Sequence, residues 1–196
     1  MRTLYLATEP DADALLASDP LALLVGMLLD QQVPMERAFV APYRLAQRMG
    51  TTRLDAAKIA SYDPETLAEI FATPPSLHRF PGAMAARTQK LCQVVADEYG
   101  GDAAAVWRGA VTGVELVKRL GGLPGFGKQK AQIFAALLGK QLGVQPEGWQ
   151  EATGVYGEEG VHRSVADITD DASLGKVREY KKQAKAAAKA AKPAKP

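Results

Sequence analysis

The sequence predicts an all-α protein, and three observations carry that expectation. Apolar residues recur at three- and four-residue intervals, as at Leu21, Leu24, Val25, Leu28 and Leu29. Asp19-Pro20, Asp63-Pro64 and Asp102 stand where helix starts are expected, an acceptor side chain followed in two cases by a proline at the first helical position. No stretch alternates apolar and polar residues for long enough to build a sheet, and Leu4–Ala7 is too short to decide.

Taken in order, Asp11–Ala17 reads as a short helix, and Asp19 caps the apolar helix that begins at Pro20. Pro34 opens a third helix reaching about Met49, with Phe39 and Leu45 inward and Pro42 as a bend. Leu54–Ser61 is a fourth, and Pro64–Phe71 a fifth with Leu67 and Ile70 buried. Thr73-Pro74-Pro75-Ser76 breaks the chain. Ala83–Tyr99 is the clearest long helix, stopped by Gly100-Gly101, and Asp102 caps Ala103–Arg108. Val114–Arg119 and Gln129–Leu138 are helical on either side of a glycine turn. Gly143–Gly160 reads as a loop, and a last helix starts near Asp170 and Asp171 and frays into a solvated tail.

A chain of 196 residues with 47% hydrophobic content can bury a core in one domain or two small lobes. We expect a single domain over residues 1–175 and a Lys/Ala/Pro-rich tail over 176–196. No apolar run reaches the ~20 residues that span a bilayer, and the first residues do not read as a signal peptide. A cytoplasmic, nucleoid-associated monomer with no membrane contact is the expectation. The single cysteine, Cys92, excludes an intrachain disulfide, and His78 and His162 have no matched spacing for a metal. The formal net charge is +2, but residues 176–196 carry seven Lys and one Arg against one Glu, leaving the rest of the chain at −5. General attraction to a polyanion must come from the tail, unless the tail serves only solubility.

The most specific text is Leu120-Gly-Gly-Leu123-Pro124-Gly125-Phe126-Gly127-Lys128. Gly125 and Gly127 permit left-handed backbone, and Pro124 fixes φ at the turn. The turn feeds a helix start whose first N–H groups lack partners and whose dipole is positive, a combination that suits a phosphate oxygen. Lys128 and Lys130 add charge beside it. The alternative is a plain helical hairpin with a glycine turn.

Val114–Leu138 resembles the helix-hairpin-helix motif of the HhH-GPD base-excision DNA glycosylase superfamily, to which endonuclease III belongs. Asp19–Gln32 resembles the helix of that superfamily that runs into a polar Gln turn near DNA, and Ala83–Tyr99 precedes the hairpin at the usual spacing. The resemblance covers roughly Asp19–Leu142. It implies a helical glycosylase fold, duplex DNA as partner, and extrusion of a damaged or mismatched base whose N-glycosidic bond is then hydrolysed. The alternative is a non-catalytic member, binding DNA for lesion recognition or nucleoid architecture.

The resemblance also implies roles. Leu123, Gly125, Phe126, Gly127, Lys128, Gln129 and Lys130 would meet DNA, and Gln32 would fill the space left by the base, with Gln31 beside it. Where lyase members carry a Schiff-base lysine, this chain has Gln129, so a monofunctional hydrolase is expected. The four-cysteine cluster of some relatives is excluded by Cys92 standing alone, and no cofactor is expected. The family acid falls at Glu147, eighteen residues after Gln129, but the Val-Asp context is missing; Asp167 is its rival. Either is equally well a surface or capping residue. Trp149 and Tyr156 would stack on the extruded base, or simply pack. Arg79 and His78, near Pro81-Gly82, are weaker candidates for the DNA backbone.

Overall fold

Leu21 to Leu29 are all buried, and that apolar helix is the axis around which the amino-terminal half assembles. The computed structural model describes residues 3–191, and among these there is no named strand. Helix α1 (Pro10–Ser18) and helix α2 (Pro20–Leu29) meet at Asp19. The buried Asp19 carboxylate accepts from the Leu21 and Ala22 N–H groups at 3.0 and 3.3 Å, and from Leu54 N–H at 2.8 Å. A carboxylate survives there because three backbone donors replace its water. Helix α3 (Met35–Arg48) packs back on α2 and runs through Pro42 without ending.

Helices α4 (Ala56–Ala60) and α5 (Pro64–Ala72) are capped by Asp55 and Asp63 and lean on the long helix α6 (Pro81–Tyr99). Gly100, with φ +61°, closes α6. Cys92 is fully buried on α6, and burial pushes its thiol up to about 12. After α7 (Ala105–Arg108) come the two antiparallel helices of the hairpin, α8 (Gly113–Gly121) and α9 (Lys128–Leu142). Buried side chains from all these helices form one continuous core, with Phe39, Phe71 and Phe134 among its largest fully enclosed members.

Two expectations change here. Residues 143–160 are not simply a loop: α10 (Trp149–Thr153) and a 3-10 turn at Gly154–Tyr156 fold over α9. The tail is not frayed over its described part either. Helix α11 (Asp171–Ala190) starts with a capping box between Asp170 and Ser173, seats Leu174 and Val177 in the core, and stays helical to Ala190. Among the described residues no single helix is long and apolar enough to cross a membrane.

Candidate nucleic-acid interface

The α8–α9 turn presents backbone rather than side chains. Leu123 and Phe126 are each only 4% exposed, and Phe126 lies against Phe134 with ring centroids 6.0 Å apart. Of the residues expected to meet DNA, these two pin the turn from beneath, and only their main chain can meet a ligand. Gly125 has φ +81°, and a Cβ there would lie 2.3 Å from Leu28 Cδ1, so this glycine is demanded by both conformation and the close approach of α2. Gly127 differs from expectation. Its φ is −76°, and a Cβ would meet nothing within 4 Å, so its missing side chain answers no constraint inside the protein. Gly127 caps α9 without a side-chain acceptor, and Lys128 and Gln129 beyond it are exposed. The first N–H groups of α9 thus face outward with the positive end of the dipole.

Lys130 is corrected from phosphate contact to structural cap. Its Nζ donates to the carbonyls of Met27, Leu28 and Asp30 at 2.7, 3.0 and 3.3 Å, at the end of α2 where intrahelical donors run out. Burial lowers its pKa to about 8, with Asp30 opposing that shift. The consequence is architectural: Lys130 ties the hairpin helix to the end of α2.

That end leads into the α2–α3 turn. Gln31 is a bracket: its side chain donates to Leu28 O at 2.8 Å, accepts from Arg87 at 3.1 Å, and its carbonyl meets His78 Nε2 at 2.9 Å. His78 is wholly buried, which removes it as a DNA contact. Its Nδ1 accepts from Phe80 N–H at 3.1 Å, so the hydrogen sits on Nε2 and is donated to Gln31 O. Burial pushes its pKa down, keeping the ring neutral. Arg79 remains exposed and stacks on Phe80 at 5.0 Å. Gln32, next to the bracket, is exposed and has φ +57°. A non-glycine residue held in that region is a strained position that its neighbours impose. Of the two glutamines, Gln32 is the free one.

Both proposed acids lie at the opposite end of the hairpin. Glu147 pairs through its main chain with Val111 and Gly113, at 3.2 and 2.7 Å, which is the N-terminus of α8; its side chain is exposed. Helix α8 separates that point from the turn by about 12 Å. Asp167 accepts from Lys140 Nζ at 2.5 Å and from the Arg163 and Ser164 N–H groups at 2.8 and 3.1 Å. Lys140 stands about 18 Å along α9 from Lys128. Asp167 is thus a saturated structural carboxylate. Trp149 belongs to that end as well. Its ring lies so tightly on Gly139 that a Cβ there would come within 2.4 Å, so it packs rather than waits for a base. A 380 Å³ cavity lined by Lys140, Trp149 and Asp167 sits there too, remote from the turn. Tyr156 does reach the hairpin: its hydroxyl accepts from Gln129 Nε2 at 2.7 Å.

The carboxylate that stands beside the hairpin is Asp30. Its main-chain carbonyl is held by Lys130, and its side chain lines a 250 Å³ cavity with Glu36, Lys181 and Ile168. Among the described residues that carboxylate has no hydrogen-bond partner. Burial raises its pKa above the ordinary carboxylate value, while Lys181 and Lys130 oppose the shift. The signal was in the text: Asp30 is the first charged side chain after ten residues of otherwise apolar helix, directly ahead of the Gln pair.

A family model described as HhH-GPD superfamily base excision DNA repair protein matches residues 25–196. A search of curated proteins returns no match.

Proposed function

Since the chain belongs to the HhH-GPD superfamily of base excision DNA repair proteins, we propose that it is a monofunctional DNA glycosylase acting at the α2–α3 turn beside the hairpin. The reading rests above all on one juxtaposition: Lys130 fastens the uncapped start of α9 to the turn that carries strained, exposed Gln32 and Asp30, whose carboxylate has no hydrogen-bond partner among the described residues. The α9 amides and the Gly127 gap bind a backbone phosphate. Gln32 enters the stack as the base leaves it. Asp30 stabilises the oxocarbenium-like sugar and takes a proton from the attacking water. The C1′–N bond breaks, a C1′–O bond forms, and the base departs with the bond's electron pair.

Gln129, hydrogen-bonded to Tyr156, has no amine to attack C1′, and the Lys130 ammonium is spent on three carbonyls. This reading therefore assigns no Schiff-base role to Gln129 or Lys130. This reading uses no cofactor.

The test is a panel of duplexes carrying damaged and mismatched bases. We expect strand scission only after alkali for at least one substrate, and no adduct trapped by borohydride. Asp30→Asn should lower single-turnover excision by about 10²–10⁴-fold while duplex binding persists, and Glu147→Gln should change little. The rate should rise with pH through a pKa above the ordinary carboxylate value, a limb that Asp30→Asn lacks. Absence of an abasic product from every substrate would overturn the enzymatic reading. It would favour a non-catalytic lesion binder, which the remoteness of Glu147 and Asp167 already suits.

A further inference from the structure

Helix α11 turns the basic tail into a directional surface. At 100° per residue, Arg178, Lys181, Lys182, Lys185 and Lys189 fall at i, i+3, i+4, i+7 and i+11, within an arc of about 100°. Lys176 points to the opposite side, and the rest of the circumference from Tyr180 onward carries Ala, Gln and a single Tyr. The helix is anchored at its start. Asp170 caps it, Leu174 and Val177 are buried, and Asp171 accepts from Tyr5 Oη at 2.7 Å.

The anchor sets where the stripe faces. Arg178 pairs with Glu36 at the start of α3, and Lys181 lines the cavity that holds Asp30. The basic face therefore begins at the α2–α3 turn and runs outward from it. Lys182, Lys185 and Lys189 stand exposed along the remainder.

We infer that this face of α11 is a second DNA-contacting surface, lying along the phosphates that flank the bound lesion. It rests on the glycosylase reading for the location of the DNA, but adds a contact that the hairpin does not supply. From Arg178 to Lys189 the helix rises about 16 Å, enough to pass about five phosphates of one strand at ~3.4 Å of axial rise each. The uncharged side of α11 is mostly alanine, without the large apolar residues that insert into a lipid surface, which selects a nucleic-acid polyanion over a membrane. The remainder of the chain is net acidic, so a focused basic stripe has a larger share of the attraction than +2 overall suggests.

The test uses the full chain and an undamaged duplex of about two helical turns, with affinity measured across a salt series. One variant carries Lys182→Gln, Lys185→Gln and Lys189→Gln. A second adds Ala184→Lys, Ala187→Lys and Ala191→Lys, restoring the net charge on the opposite side. Neutralisation should weaken binding by about tenfold or more at 0.1 M salt and reduce the slope of log K against log salt by about 2.7. The relocated lysines should not restore either. Single-turnover excision at saturating protein should be unchanged, since these side chains act on binding. An unaltered salt slope after neutralisation would overturn the inference, and so would full restoration by the relocated lysines, which marks a generic polycation. Failure of the wild-type chain to bind any duplex would instead sink the glycosylase reading itself.

Discussion

The two ends of the α8–α9 hairpin are built from similar residues and treated oppositely. At the far end the buried polar side chains are hydrogen-bonded. Asp167 holds Lys140 and two backbone amides, Gln141 Nε2 donates to carbonyls of Ala166 and Ile168 at 2.9 and 3.1 Å, and Trp149 covers Gly139. At the near end donors and acceptors are left waiting. The start of α9 has no side-chain cap, Gln32 sits at φ +57°, and the partly buried Asp30 carboxylate has no hydrogen-bond partner among the described residues. Satisfied groups hold a fold, whereas unsatisfied and strained ones persist only where something else is to complete them. The far end holds the larger cavity, yet the proposed chemistry is placed at the near end.

The contrast can be broken most sharply at Asp167. Asp167→Asn should destabilise the protein by about 3 kcal/mol, because it leaves the half-buried Lys140 without its counter-charge. Thermal unfolding should register this as a loss of several degrees, with single-turnover excision at permissive temperature little changed. Loss of excision without loss of stability would return Asp167 to the site.

The two glycines of the turn separate structure from binding. Gly125→Ala should cost about 2 kcal/mol, since it combines a positive φ with a clash on Leu28. Gly127→Ala should cost less than about 1 kcal/mol and still weaken duplex affinity by about tenfold, because its Cβ enters the space proposed for a phosphate. Chemical denaturation and a binding titration of both variants measure the split. Equal affinity of Gly127→Ala and wild type would remove the phosphate from that gap.

Gln32→Gly should raise stability by up to about 1 kcal/mol by relieving the left-handed conformation, while lowering excision from duplex at least tenfold. A variant that loses both stability and activity would mark Gln32 as part of the packing.

The smallest effect concerns His78. Its folded pKa lies below its unfolded one, so its contribution to stability is fully present above about 6.5 and is lost as pH falls through the folded value. Melting temperature followed from pH 7.5 downward should decline less steeply in His78→Gln, which retains a donor for Gln31 O but does not titrate. Parallel slopes would show that the bracket under the turn is insensitive to acid.

Much of this protein was legible before its coordinates. The 3.6-residue spacing, the Asp-Pro starts and the glycine stops are local devices, and α2, α5, α6, α8 and α9 appear within a few residues of where they are expected. The hairpin turn was legible for the same reason. Site geometry is less legible wherever it depends on distance along the chain. Counting eighteen residues from Gln129 points to Glu147, but α10 and the 3-10 turn follow before the chain comes back to α9, and it is Tyr156 that arrives beside Gln129.

What the sequence determined by itself is the set of helices and the glycine turn that joins α8 to α9, with Gln129 one residue inside α9, because each follows from residues within one or two turns of each other. What only the tertiary structure decided is which polar groups keep company. A lysine with four methylenes can reach a phosphate or fold back, and Lys130 folds back because the α2 carbonyls lie within 2.7–3.3 Å of its ammonium. A carboxylate is structural or available according to whether donors surround it, which separates Asp167 from Asp30. That depends on the packing of α2 against α9, across a hundred residues of intervening chain.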